Sequence, residues 1–166
     1  MTEQVLFTEK QRFNQTWLWI LMGVIIIMPM YDIVTQLVKD IQGVKPDGFR
    51  SINYVQVLIF LIPLFMWVSK LETRITNTGI DARFFPFHRK NRHFAWDDID
   101  SAVVRTYSPL GEYGGWGLRW GSSGKAYNVS GEEGIQLVLK NGKKLLIGTN
   151  KPVEAAAALA VYMPVK

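Results

Sequence analysis

The residues best suited to bind a ligand lie in a glycine-rich segment between Pro109 and Gly124. Successive backbone N–H groups in such a segment can surround an anion, and an arginine adds a bidentate partner for phosphate or carboxylate. We therefore expect an acidic lipid headgroup or an acidic peptide to bind here. The alternative is a glycine-rich bend that packs Tyr113 and Trp116 onto the core. The candidate binding residues are Arg105, Gly114, Gly115, Trp116, Gly117 and Arg119.

A second group of candidates lies in the basic run from His88 to His93, which follows three phenylalanines. Basic side chains close to an anionic leaflet each gain about 1 kcal/mol, and phenylalanine can insert shallowly beside them. A solvated loop is the competing interpretation. We do not expect nucleic acid as a partner, since no recognition helix or RNA-binding motif is evident. The candidates for membrane-surface contact are Phe87, Arg89, Lys90 and Arg92.

Residue types and spacing argue against most catalytic chemistry. The chain has no cysteine and two histidines. The first fact excludes cysteine zinc sites, iron–sulfur clusters and cysteine nucleophiles, and the second argues against multi-histidine metal sites. The one acidic cluster, Asp97, Asp98 and Asp100, lacks the EF-hand pattern. No nucleophile elbow or P-loop occurs either. We expect no catalytic residues, no metal and no cofactor.

Two apolar stretches predict how the chain is positioned. Trp17–Tyr31 carries no charge and continues past Asp32 to Val38, and Ile52–Ser69 is also uncharged. As helices they would measure about 33 Å and about 27 Å, close to a hydrocarbon core of about 30 Å. We predict transmembrane helices at 17–38 and 52–69, joined by an outer loop at 39–51.

Two other interpretations of these stretches are disfavoured. A buried helix of a soluble core needs a polar face, which residues 17–31 lack. A cleaved signal peptide would have a small-residue cleavage site after the apolar run, and none follows it. Tryptophans near the predicted boundaries, Trp17, Trp19 and Trp67, fit an interfacial aromatic belt.

Asp32 is the one ionisable residue within the first predicted span. An intramembrane carboxylate can mark an ion or proton path, which makes Asp32 a candidate intramembrane polar site. The alternative is a side chain that reaches the interface, because Asp32 lies near the predicted outer boundary. Pro29 and Pro63 predict kinks in the two helices rather than a transport site.

Basic residues beside the spans indicate the orientation. Lys10 and Arg12 precede the first helix, Lys70 and Arg74 follow the second, and the positive charges of the loop are partly offset by aspartates. The positive-inside rule then places both termini in the cytoplasm of a multi-pass protein. The formal net charge of +5 is explained by this topology.

Residues 70–166 predict a mainly-β domain. Short β-rich runs alternate with turn residues, as in an antiparallel sandwich or barrel, and Asn141-Gly142 is a strong two-residue hairpin signal. Pro152 then opens a helix with a small, alanine-rich face. We predict three parts: a cytoplasmic segment (1–16), a transmembrane hairpin (17–69) and a domain of seven or eight antiparallel strands capped by a C-terminal helix (70–166). The strand segments are 71–76, 80–85, 93–96, 101–108, 116–120, 125–129, 134–140 and 143–149.

Particular segments carry a resemblance to known proteins: Thr73–Thr76, Gly79-Ile80, Arg83–Phe87, Trp96–Ile99, Tyr107–Arg119, Ala126–Gly131, Gly134–Leu139 and Leu145–Pro152. In these the chain resembles a family of small bacterial membrane proteins, in which two transmembrane helices precede a pleckstrin-homology-like domain of the bacterial (bPH) type. The resemblance implies a bent antiparallel sandwich or partly open barrel, closed by a C-terminal helix, in the bacterial inner membrane. It implies no reaction. It does not extend to phosphoinositide binding, because few basic residues surround the first turn, Asn77–Gly79.

The expected function is therefore non-enzymatic. The first hypothesis is an inner-membrane protein whose cytoplasmic domain binds another protein or self-associates, with the lipid bilayer as its other partner. Two alternatives stay open: an accessory subunit of a transporter or channel that uses Asp32, and a module that binds anionic lipid.

Overall fold

The computed structural model describes residues 4–43 and 54–163, and the chain forms two compact units. The β unit comprises residues 1–13 and 69–166, and the helical unit comprises residues 14–68. The elements are β1 (Val5–Arg12), α1 (Thr16–Ile41), α2 (Tyr54–Val68), β2 (Lys70–Thr76), β3 (Gly79–Phe85), β4 (Arg92–Ala95), β5 (Ile99–Thr106), α3 (Pro109–Tyr113), β6 (Gly117–Gly121), β7 (Gly124–Asn128), β8 (Glu133–Leu139), β9 (Lys144–Gly148) and α4 (Pro152–Ala160).

The helical unit consists of two apolar helices that contact each other. Among the described residues, α1 is the one helix long and apolar enough to cross a membrane. Its 26 residues span about 39 Å, and many of its large apolar side chains, such as Met28 at 77% exposure, are not covered by protein. The first predicted helix is confirmed as a membrane-length helix and extends to Ile41.

The second apolar run is also helical, but α2 has 15 residues, or about 22 Å, which is shorter than the predicted 52–69. Residues 52 and 53 lie outside the described residues. So does most of the predicted outer loop, of which residues 39–41 belong to α1.

The β unit contains two sheets. The first sheet has the order β1-β2-β3-β4 and is antiparallel throughout, and the second has the order β5-β8-β9-β7-β6. The mainly-β prediction is confirmed: the described part of residues 70–166 contains eight strands, β2 to β9, and β1 adds a ninth from outside the predicted domain. The expectation of antiparallel pairing throughout was wrong, because β7 pairs with β9 in parallel. No closed barrel forms from these strands.

The first strand is the main departure from the predicted domain boundaries. Residues 1–16 were expected to stand apart from the β domain, yet β1 pairs with β2 from Val5↔Thr76 to Arg12↔Lys70. The inward side chains of β1 are buried: Phe7, Glu9, Gln11 and, just after the strand, Phe13. Two of these four are polar, so the segment lacks the apolar alternation by which a half-buried strand is recognised.

Polar side chains of β1 form hydrogen bonds with residues 148–150, at the junction of β9 and α4. The carboxylate of Glu9 accepts hydrogen bonds from Thr149 Oγ1 at 2.6 Å and from the backbone N–H of Asn150 at 2.9 Å. The side-chain amide of Gln11 donates to the carbonyl of Gly148 at 2.7 Å. Buried polar groups need such partners, and these three hydrogen bonds link β1 to the β9–α4 junction, while Gln11 Oε1 has no partner among the described residues.

The predicted C-terminal helix is confirmed as α4, which contacts β1, β2, β5 and β8. Its buried face consists of Ala155, Ala158 and Leu159, and the small alanines let the helix axis approach the strands closely. Beyond the helix, the ring of Tyr162 stacks on Trp96 at 5.0 Å. The helix therefore lies against outer strands of both sheets, β1 and β5.

Candidate functional site

The glycine-rich segment is a bend whose donors are used within the protein. The helix α3 follows Ser108 and ends at Gly114, whose φ of 69° is a left-handed value that glycine adopts without strain. The N–H groups of Gly114 and Gly115 donate to carbonyl oxygens of α3 at 3.0 and 2.9 Å. The N–H of Gly117 donates to Asn128 Oδ1 at 2.9 Å. These three donors, predicted to hold an anion, are already paired.

The N–H donors of Arg105 are likewise used by partners within the protein. Its guanidinium contacts both carboxylate oxygens of Glu112, at 3.1 and 2.6 Å. It also makes two bonds to Gln136 Oε1 and one to the carbonyl of Thr106. A guanidinium has five N–H donors, and these five contacts use them all. An internal carboxylate and an internal amide thus occupy the guanidinium, which favours the packing interpretation, and anion recognition by Arg105 stays a prediction.

The remaining candidates of this segment also make internal contacts. Arg119 Nε donates to the carbonyl of Trp116 at 3.0 Å, and the Trp116 indole N–H donates to the carbonyl of Gly131 at 3.1 Å. Tyr113 is buried against Tyr107, with ring centroids 6.0 Å apart. The structure thus brings the predicted residues together, but the arrangement favours the packing interpretation over an anion site.

We expect the Arg105–Glu112 pair to stabilise the β unit in a pH-dependent way. The hydrogen bond from Arg105 lowers the pKa of Glu112 to about 2. A carboxylate with a depressed folded-state pKa contributes stability above its unfolded pKa, and this stability is lost as the pH falls toward the folded value. Glu112→Gln should lower the free energy of unfolding by about 1–2 kcal/mol at pH 7, and the difference from wild type should shrink between about pH 4.5 and pH 2.

Denaturant unfolding followed by circular dichroism across this pH range measures the difference. Glu132→Gln, an exposed carboxylate on the adjoining loop, is the matched control. A Glu112→Gln difference that is the same at pH 2.5 and pH 7 would show that the ionised pair contributes nothing.

The basic run lies in the loop between β3 and β4. Phe85 at the end of β3 pairs with Lys70, which pairs in turn with Arg12. The loop therefore begins at the end of the sheet where the chain passes into residues 14–68 and returns from them. The exposed residues of the loop include Phe87, Arg89 and Lys90, and Arg92 is exposed at the start of β4. Of the membrane-surface candidates, the first three stay together in this loop.

Asp32 lies on α1 about 24 Å from its first residue and is exposed. Its backbone carbonyl accepts a hydrogen bond from Thr35 Oγ1 at 2.9 Å. Among the described residues, its carboxylate forms no ion pair. Its role as an intramembrane polar site stays a prediction.

A feature that the sequence did not indicate is a cleft of about 710 Å³. It is bordered by β4, β6, β7 and the β8–β9 hairpin, and we call it the basic cleft. Among the described residues, four cations line it and no aspartate or glutamate does. Its principal side chains are Arg92, Phe94, Trp120, Lys125, Lys143 and Lys144.

Charge and aromatic surface meet in this cleft. The Nζ atom of Lys125 lies 5.4 Å from the ring centroid of Trp120, a cation–π distance, and Trp120 is 64% exposed. Burial lowers the pKa of His88, which packs against the cleft residue Tyr127, and the charges of Arg92 and Lys125 lower it further. Both effects favour the neutral imidazole, and the fixed positive charge of the cleft comes from arginine and lysine.

A second groove, on the first sheet, has about 380 Å³ and a balanced charge. Glu72 there pairs with Lys10 at 3.4 Å, with Lys70 at 3.3 Å and with Arg83. Burial acts to raise the pKa of Glu72, but its hydrogen bonds from Arg83 and Lys70 outweigh that and lower it. Because Lys10 and Arg83, two of the three cations that line it, already pair with Glu72, this groove is a weaker anion site than the basic cleft.

Sequence reasoning missed the basic cleft because its cations are distant in the chain. Arg92, Lys125 and Lys144 lie on three different strands, and each one taken alone resembles a solvated residue beside a turn. The parallel pairing of β7 with β9 brings Lys125 beside Leu145, next to Lys144. The local signal was an exposed tryptophan close to lysines on neighbouring hairpins.

The fold and its surfaces define a chain with a membrane-length helix and a mainly-β domain that carries a basic cleft. No protein-family model, curated protein or solved structure matches this chain.

Proposed function

We propose that this chain is a non-enzymatic integral membrane protein that presents a pleckstrin-homology-like domain at the cytoplasmic surface of a bacterial inner membrane. There the domain binds another protein or a second copy of itself. The observation that carries the proposal is the pairing of β1 with β2, since these strands flank the apolar segment 14–68.

This pairing constrains the path of the chain. Residues 13 and 69 must lie on the same side of any membrane that the helical unit crosses, because the strands that they adjoin are neighbours in one sheet. An even number of crossings is therefore required. With α1 as the first crossing, α2 must supply the second. Its 15 residues span about 22 Å, so the bilayer must thin locally around it.

Charge supports the cytoplasmic orientation. Lys10 and Arg12 end β1 just before the helical unit, and Lys70 and Arg74 follow it on β2. Basic residues close to the ends of membrane spans favour the cytoplasmic side. Both groups lie on the same sheet, so they favour the same side together.

A binding role is supported by the character of the cleft. Its lining combines cations with aromatic rings and aliphatic side chains. Such a surface can contact charged and apolar groups of one partner at the same time.

Contact with anionic lipid is a second candidate, favoured by the position of the β3–β4 loop. The loop begins at the end of the sheet where the chain enters and leaves residues 14–68, and it exposes Phe87 together with Arg89 and Lys90. An aromatic side chain beside cations can bind the headgroup region of an anionic leaflet.

Replacing residues 14–68 with an unrelated two-helix membrane anchor tests the interaction role. We expect cross-linking in native membranes to give the same cross-linked species as the wild type, because the anchor only keeps the β domain concentrated at the surface. The membrane level of each variant is measured as the control. Loss of every cross-link from a folded, membrane-inserted variant would contradict the proposal and assign the function to the helices.

A further inference from the structure

We propose that the basic cleft binds an acidic segment of a partner protein in an extended conformation. This inference rests on the proposed interaction role and adds to it the chemistry of the partner and the surface that recognises it.

Charge complementarity is the first argument. The cleft presents Arg92, Lys125, Lys143 and Lys144, and no acidic residue within 4–43 or 54–163 lines it. In the groove on the first sheet, by contrast, Glu72 neutralises its neighbouring cations. An anionic ligand in the basic cleft therefore does not compete with a carboxylate of the lining for these cations. Complementary charge attracts the right partner and disfavours partners of like charge.

The distribution of the cations favours an elongated ligand. Arg92 lies on β4 and Lys125 on β7, whereas Lys143 lies in the turn between β8 and β9 and Lys144 is the first residue of β9. A single phosphate is bound best where donors converge on one point, whereas charges on separate elements suit several carboxylates along a chain. Between them lie Phe94, Leu139 and Leu145, which offer contacts to apolar side chains of the same segment.

The sheet edges supply the third argument. The strands β4 and β6 are each the outermost of their sheets, and both border the cleft. An outer strand has backbone groups on one side that no further strand pairs with, and an extended peptide can bind them as an added strand. In an extended segment alternate side chains point to opposite faces, so acidic residues can meet the lysines while the intervening ones contact Trp120.

The test uses the full-length protein in phosphatidylcholine nanodiscs. The probe is a fluorescent peptide in which glutamate alternates with valine, compared with the same peptide carrying glutamine. We expect the glutamate peptide to bind and the glutamine peptide not to bind. The affinity for the glutamate peptide should fall as NaCl is raised from about 50 to about 300 mM. The cleft variant Lys125→Gln/Lys144→Gln should weaken binding roughly tenfold or more.

The control variant Arg74→Gln/Lys151→Gln removes the same charge from exposed positions outside the cleft and should change affinity by less than about twofold. Trp120→Ala should weaken binding without altering the net charge. Because Lys125, Lys144 and Trp120 are all exposed, these substitutions leave the core intact.

Three outcomes would overturn the inference. One is no binding of the glutamate peptide, and another is equal weakening by the cleft and control variants. The third is binding of a phosphate compound, but not of the peptide, that the cleft variant abolishes. If that compound is short-chain phosphatidylglycerol, the cleft is a site for lipid headgroups, and if it is inorganic phosphate, the cleft is a site for free phosphate. In each case the anchor replacement still decides the proposed interaction role separately.

Discussion

Joining Phe13 to Ser69 through an Asn-Gly turn should yield a folded, water-soluble β domain, whereas residues 69–166 alone should remain unfolded. The join is feasible because Arg12 and Lys70 are register partners, so the two ends of the helical unit leave from neighbouring strands. Asn-Gly is the preferred sequence for a tight turn between antiparallel strands. Removal of residues 14–68 then takes away the exposed apolar surface of α1 and α2.

The truncated chain should fail because β1 contributes too much of the domain. Phe7 and Phe13 are 6% and 8% exposed, and each buried phenylalanine contributes about 2–3 kcal/mol. Loss of β1 also removes the carboxylate that pairs with Thr149 and the amide that pairs with Gly148. Whole domains are stable by only about 5–15 kcal/mol, so these losses together are comparable with the total.

Solubility, near-ultraviolet circular dichroism and cooperative unfolding distinguish the two forms. As an intermediate control, residues 1–13 supplied as a separate peptide should restore structure to residues 69–166. Cooperative unfolding of residues 69–166 without that peptide would contradict the assignment of β1 to the domain core.

In intact cells, cysteines on the β unit and at the end of α1 should label from opposite sides of the membrane. The chain contains no natural cysteine, so a single introduced thiol reports its own location. An impermeant maleimide added outside the cytoplasmic membrane should label Gln42→Cys, at the end of α1, and should not label Thr8→Cys or Lys90→Cys. After permeabilisation all three should label, since all three positions are exposed.

The reason is the requirement for an even number of crossings. Thr8 on β1 pairs with Arg74 on β2, so residues before and after the helical unit share one compartment. A Thr8→Cys/Arg74→Cys variant should form an intramolecular disulfide on oxidation of membranes, while Thr8→Cys/Lys140→Cys should not. External labelling of Thr8→Cys but not of Lys90→Cys would mean a single crossing and would contradict the β1–β2 pairing. Equal labelling of all three cysteines in intact cells would mean that the helical unit does not cross the membrane.

Local sequence patterns predicted most of the secondary structure. The segments 71–76 and 80–85 became β2 and β3, and the Asn141-Gly142 signal became the turn between β8 and β9. Apolar runs, turn residues and the proline that starts α4 are properties of a few neighbouring residues, so they can be recognised without the fold. The same is true of α1, whose length and composition alone define a membrane-length helix.

The binding site could not be predicted in this way. The glycine segment drew attention because its composition is unusual, but Glu112 and Asn128 occupy the donors that an anion would need. The sequence did not indicate the basic cleft, because each of its cations resembles an ordinary surface residue. Only the fold brings the three strands that carry them together. Local composition describes which groups are present, and only the tertiary contacts decide which of them are already satisfied.

The sequence by itself determined that this chain has a membrane-length apolar helix, a mainly-β domain and no cysteine chemistry, since these follow from composition and short-range periodicity. The tertiary structure alone decided that the domain begins at β1, with the helical unit inserted between its first two strands. The reason is that Glu9 and Gln11 are polar and become acceptable in a core only through partners at Gly148, Thr149 and Asn150. A strand whose inward residues are satisfied by bonds to the other end of the chain has no local signature.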